Sequence, residues 1–132
     1  MKRILVMSAG GPASYNFIKS LRLAPEKFYI VGADRNAYHL ELAPVDKKYV
    51  VPSVENPDYL DRVNEIIREE KIDFLHCQSD AEVLFFSGNK DNVNAKTLLP
   101  RAHIVNRCQN KLETMEALRE KEIPIPETYP VM

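Results

Sequence analysis

Apolar residues enter this chain in short unbroken runs, separated by longer stretches where they recur every third or fourth position. Ile4, Leu5, Val6 and Met7 form the first run, directly after two basic residues. That is the pattern of a strand covered on both faces of a parallel sheet. Gly10 and Gly11 stop the run. Pro12 has the φ suited to a first helical position, and Ala13, Phe17, Ile18 and Leu21 then share one helical face. Residues 2–21 therefore predict strand, glycine turn and helix. Such a turn lays backbone N–H groups and the positive end of a helix at the carboxyl edge of a sheet, where anionic groups bind.

The same alternation continues. Residues 28–33 are a second apolar run ending at Asp34, and residues 48–51, before Pro52, predict a third and shorter strand. Between them, residues 36–45 have no clear period and fit a loop or a short helix. Asn56-Pro57-Asp58 predicts a helix start, with Leu60, Val63, Ile66 and Ile67 as its buried stripe and Asp58 able to pair with Arg62 outside. Residues 72–77 predict the fourth strand, and Gln78-Ser79-Asp80 the cap of a helix over residues 81–90, with Asp80 as the capping residue. Thr97-Leu98-Leu99 before Pro100 predicts a short fifth strand. A brief helical segment follows to Cys108, and Leu112, Met115 and Leu118 mark a last helix over residues 112–121. Ile123-Pro124-Ile125-Pro126 ends it, because closely spaced prolines cannot serve a central strand. Strands separated by helices predict an α/β fold: an open parallel sheet of about five strands, Rossmann-like, with helices on both faces and a ligand site at the carboxyl edge.

Composition narrows the class. The 132 residues, 45% hydrophobic and 28% charged, fit one globular domain over residues 1–122 with a tail at 123–132. A formal net charge of −1 with interspersed signs offers no basic patch for nucleic acid and no polybasic membrane anchor. No apolar run is long enough to span a bilayer, and the amino terminus enters a strand directly, so a cytoplasmic protein is expected. Cys77 and Cys108 suggest neither a disulfide framework nor a zinc site, and both are expected to be reduced, packed thiols.

Chemistry is concentrated at two predicted strand ends. A Rossmann fingerprint wants glycines where this turn has Ser8, Gly10 and Ala13. Asp34 falls where an NAD-binding fold places its ribose-binding acid. Against that reading, Ser8 lacks the freedom of the first glycine and Pro12 cannot donate to a phosphate. The fourth strand's end offers Gln78, Ser79, Asp80 and Glu82, donors and acceptors suited to a small polar substrate. His39, His76 and His103 lack ligand spacing, and neither a GxSxG nor a GxxxxGK[ST] motif occurs. The residues describe a binding site without a catalytic apparatus.

Several of these motifs, taken in order, resemble the amino-terminal domain of an ATP-grasp ligase of the carbamoyl-phosphate-synthase large-subunit-like kind. They are the first strand with SAGGPAS, Val31-Gly32-Ala33-Asp34, the QSDAEVL stretch from Gln78, Asn110-Lys111-Leu112 through Leu118, and Glu122 through Thr128. The resemblance implies a pre-ATP-grasp domain on the substrate side of a larger ligase, either as a cut piece or as part of a split enzyme, with no catalytic residue of its own. Its parent would use ATP and magnesium to form an acyl phosphate that an amine attacks. By the same resemblance, Lys111 would bind ATP phosphate, although Asn110 stands where the family commonly has an acid. Gly10, Gly11, Asp34, Gln78, Asp80 and Glu82 would line the substrate side. The expected partners are a carboxylate or amine substrate and a missing ATP-grasp domain in cis or trans, with a homodimer allowed and no ATP or magnesium held tightly by this chain alone. The rival readings are a stand-alone nucleotide- or metabolite-binding module and an interaction domain on the same fold.

Overall fold

Four parallel strands, β1 (Lys2–Met7), β2 (Phe28–Asp34), β3 (Lys47–Val50) and β4 (Phe74–His76), make one sheet in the order β3-β2-β1-β4. Register runs from Lys2 against Phe28 to Met7 against Ala33, and Ile4 to Val6 of β1 also pair with Phe74 to His76. This is a computed structural model, and it describes residues 1–131. Residues 1–99 form one compact unit and a second begins at Pro100. Met132, the last residue of the predicted tail, lies outside the described residues.

The uninterrupted apolar runs follow from two covered faces. Ile4, Val6 and Ile30 pack with Phe17 and Leu21 of α1 (Pro12–Leu23) and Leu40 of α2 (Ala37–Leu40). On the other face Leu5, Met7, Val31 and Ala33 meet Val63, Ile66 and Ile67 of α3 (Tyr59–Glu69) and Phe86 of α4 (Asp80–Gly88). Alternate residues of one strand thus serve opposite cores. The helix of residues 12–23 begins at Pro12 as the pattern predicts, but Ala13 is exposed and Ser14 is buried in its place. The Ser14 hydroxyl donates to the Met7 carbonyl at 3.1 Å, which makes the polar side chain tolerable inside.

Several local expectations change. The predicted fifth strand reduces to one parallel bridge between Phe74 and Lys96, so the sheet has four strands rather than about five. Lys96 uses both backbone groups on Asp73 and Leu75, after which Leu98 turns to solvent at 86% exposure and Pro100 has no N–H to offer. The helix expected at Pro57 starts at Tyr59 instead. Asn56 accepts the Asp58 N–H at 2.9 Å in a preceding turn, and Arg62 pairs with Glu65 rather than Asp58. Ser79, not Asp80, caps α4.

At the amino edge of the sheet Glu70 is buried and gathers three partners. Arg3 (2.8 Å) and Lys47 (2.7 Å) form ion pairs with it, and the Tyr49 hydroxyl donates to the same carboxylate. These hydrogen bonds, that of Lys47 foremost, hold the Glu70 carboxyl below the usual carboxylate range. This cluster ties β1, β3 and the end of α3 together, opposite the carboxyl edge of the sheet. In the second unit, α5 (Ala102–Gln109) and α6 (Lys111–Glu120) form a helical pair, and residues 123–131 have no regular secondary structure, as the prolines predict.

Candidate functional site

The carboxyl ends of β1, β3 and β4 open onto a cleft of about 210 Å³. Its wall is made by Ser8 after β1, the segment from Val51 to Glu55 after β3, Arg35 after β2, and Ser79, Ala81 and Glu82 where β4 gives way to α4. This is the edge at which parallel α/β sheets bind ligands, and the cleft lies wholly within residues 1–99.

Glu82 is its polar centre. The side chain is buried at 7% exposure and its two oxygens accept three hydroxyl protons. Ser8 Oγ donates to Oε2 at 2.7 Å, Ser79 Oγ to the same oxygen at 2.8 Å, and Tyr59 OH to Oε1 at 2.9 Å. Ser79 also accepts the Glu82 N–H, the cap of α4. Tyr59 itself is 1% exposed, and burial, followed by the neighbouring Glu82 charge, pushes its hydroxyl far above the ordinary phenol range. It therefore stays a proton donor. Ser8 reaches Glu82 by adopting a left-handed backbone, φ 47°, which costs a non-glycine residue free energy.

The glycine turn is used differently from the anion cradle its pattern suggests. Neither glycine has a positive φ among the described residues; Ser8 carries that conformation instead. The Gly10 N–H donates to Asp34 Oδ2 at 3.0 Å and the Gly11 N–H to the Ser8 carbonyl at 3.0 Å, so both donors are consumed within the chain. A Cβ at Gly10 would lie 2.4 Å from the His39 backbone carbon. The glycine is required because α2 packs against the turn. Asp34 is buried, and its other oxygen accepts the Asn36 N–H at 2.9 Å, so this acid joins the β1 and β2 exits.

Of the residues named from sequence for the substrate side, Glu82 stands on the cleft wall. Gly10 and Gly11 lie in the adjoining turn, Asp34 ends β2 beside it, and Gln78 and Asp80 are exposed at the β4 exit and α4 start. Lys111 belongs to the second unit, in the first turn of α6, where Asn110 Oδ1 accepts the N–H groups of Leu112 and Glu113. Among the described residues no group of histidines, cysteines and acids is placed to hold a metal. His76, partly buried, stacks on Phe17 with ring centres 3.6 Å apart, and desolvation lowers its pKa. Cys77 is buried, its thiol pushed up to about 12 by desolvation and then by Glu82, so it is a protonated packing group. Cys108 is exposed, not packed as expected, because it falls on the outer side of α5.

Three contributors escaped the sequence: Ser8 as a ligand of Glu82, Tyr59, and Arg35. Ser8 registers in sequence only as a failed fingerprint glycine. A buried tyrosine requires a hydroxyl partner, but nothing local indicates that the partner lies 23 positions on.

Comparison with known proteins agrees with this architecture. No curated protein matches the chain. Among solved structures, the L-amino acid ligase from Bacillus licheniformis aligns over 96% of this chain with a TM-score of 0.69 at 16% identity. Glycinamide-RNase-transformylase T from Mycobacterium tuberculosis aligns over 91% with a TM-score of 0.59 at 17% identity. The chain spans 32% of the length of each, and at identities this low the likeness shows a shared fold alone. The family model for the PylC-like, N-terminal domain matches residues 4–99, the unit that holds the sheet and the cleft. The chain belongs to the PylC-like N-terminal domain family, a pre-ATP-grasp domain of the ATP-grasp enzymes.

Proposed function

We propose that this chain is the substrate-side, amino-terminal domain of a cytoplasmic ATP-grasp ligase that joins a carboxylate to an amine. In this reading the parent enzyme forms an acyl phosphate from ATP, as in carbamoyl-phosphate-synthase-like chemistry, and the amine then attacks it. The observation that carries the reading is the family match across residues 4–99. The L-amino acid ligase fold likeness makes amino acids the first substrates to test.

The domain's own contribution is orientation. Holding one reactant in an attack geometry supplies a large share of a bimolecular barrier without any acid or base. Glu82 would position that reactant, while Gly10, Gly11 and Asp34, whose polar groups bond within the chain, together with Gln78 and Asp80 would shape the substrate-side edge around it. For ATP, the Lys111 ammonium suits a phosphate by charge, while the first N–H groups of α6 are already taken by Asn110. Its part is therefore a single cation at the domain boundary. Magnesium, which neutralises a transferred phosphate, is assigned with its acidic ligands to the ATP-clamping domain in cis or trans, and a homodimer of the whole enzyme is compatible with this arrangement.

The deciding experiment is an ADP-release screen of the full-length parent against pairs of carboxylates and amines, amino acids first. Release that requires both members of a pair supports the ligase. Absence of ADP release with every pair, alongside tight metabolite binding by this chain, would instead favour a stand-alone binding module.

A further inference from the structure

The cleft has a donor and acceptor balance that selects its ligand. Each serine hydroxyl owns one proton. Ser8 Oγ and Ser79 Oγ both donate theirs to Glu82 Oε2, and Tyr59 donates its own to Oε1. Toward the cleft, these two serine oxygens and the remaining lone pair of the carboxylate can only accept. The charged residues on the wall are Arg35, Glu55 and Glu82, one cation against two acids. Arg35 is exposed just after β2, and no salt bridge joins it to Glu82 among the described residues. The positive end of α4, which would attract a foreign anion, already faces the chain's own Asp80 and Glu82 in its first turn.

We infer that the cleft floor binds a primary ammonium group, the amine-bearing partner of the ligation, and that Ser8 and Tyr59 are positioning residues that aim Glu82 at it. The inference rests on the ligase reading and deepens it: this edge takes the nucleophile and not the carboxylate that ATP activates. A carboxylate or phosphate seated against Glu82 and the two serine oxygens would meet lone pairs, Arg35 being the wall's one cation. An ammonium brings three protons to a surface with acceptors and a buried charge, the arrangement in which charge-assisted hydrogen bonds are strong. The left-handed Ser8 supports the assignment. A glycine would satisfy the backbone at φ 47° without strain, and serine adds only the hydroxyl that reaches Glu82.

The test titrates the isotopically labelled 132-residue chain, followed by amide NMR, with two probes at equal ionic strength. Glycinamide hydrochloride carries an ammonium and no carboxylate, and sodium N-acetylglycinate carries the reverse. Glycinamide is expected to shift the amides of Ser8, Ser79 and Glu82 saturably at millimolar concentration, and N-acetylglycinate to leave them in place. Tyr59→Phe and Ser8→Gly should each weaken glycinamide binding at least threefold with the remaining spectrum preserved, the glycine variant because its backbone needs no rescue. Glu82→Gln, which replaces one acceptor with a donor, should abolish it. Shifts with N-acetylglycinate at these amides, or no shift with glycinamide, would overturn the inference. Either result leaves the ligase reading to stand or fall on ADP release by the parent.

Discussion

Single residues decide what this sheet edge can do. Gly10 is indispensable for space and not for backbone freedom, since its Cβ would meet His39 backbone atoms at 2.4 and 2.5 Å. Gly10→Ala should therefore cost about 2–3 kcal/mol, the range of overpacking against atoms that cannot move aside, read as a lower urea midpoint. At Gly88, where nothing lies within 4 Å, alanine should be neutral or stabilising. Glu70 gives a pH prediction. Its folded pKa is depressed by Lys47, Tyr49 and Arg3, so the cluster stabilises the fold above the ordinary carboxylate pKa. That contribution is lost as pH falls through the folded value. Glu70→Gln should lower stability by about 2 kcal/mol at pH 7, the scale of hydrogen bonds to a charged group. The gap to the wild type should narrow steadily between pH 5 and pH 3 in urea titrations. A gap constant with pH would mean that the Glu70 charge contributes nothing. Neither role is legible locally: Gly10 has the pattern of a cradle glycine, and no local signal marks Glu70 as buried.

Elements were read with more success, because their signals are short-range. The helix start at Pro12, the strand ending at Asp34 and the last helix through Glu120 follow from spacing and capping alone. Starts were misjudged where a turn competes with the first helical bond, as at Asn56 before α3. Helix ends show a further pattern invisible to a search for glycine. Lys71 (φ 51°) and Glu122 (φ 57°) take the left-handed position after α3 and α6, and the N–H groups of Ile72 and Ile123 return to the Ile67 and Leu118 carbonyls. This is the Schellman closure, usually built on glycine. Lys71→Gly should accordingly raise stability by roughly 0.5–1 kcal/mol through relief of left-handed strain. An increased urea midpoint with an unchanged slope would confirm it, and a decrease would show that the Lys71 side chain matters more than its backbone.

At the scale of the whole molecule, a pre-ATP-grasp domain offers ATP one boundary cation in this reading. An exposed ion pair contributes at most about 1 kcal/mol, whereas micromolar affinity needs about 8 kcal/mol. Calorimetry on the 132-residue chain should therefore find ATP binding weaker than about 1 mM, and micromolar binding would require a nucleotide site that Lys111 does not supply. The sequence by itself determined the first four strands and the helices between them, and with them the parallel α/β class, because hydrophobic period, prolines and caps act over a few residues. Tertiary structure alone decided that the sheet stops at four strands, that the N–H groups of Gly10 and Gly11 and the carboxylate of Asp34 are spent within the chain, and that Glu82 is the group left at the cleft. The physical reason is that a buried polar group must find its partner wherever the fold brings one. Here those partners lie 24 positions away for Gly10 and Asp34, 23 for Tyr59 and Glu82, and 74 for Ser8 and Glu82.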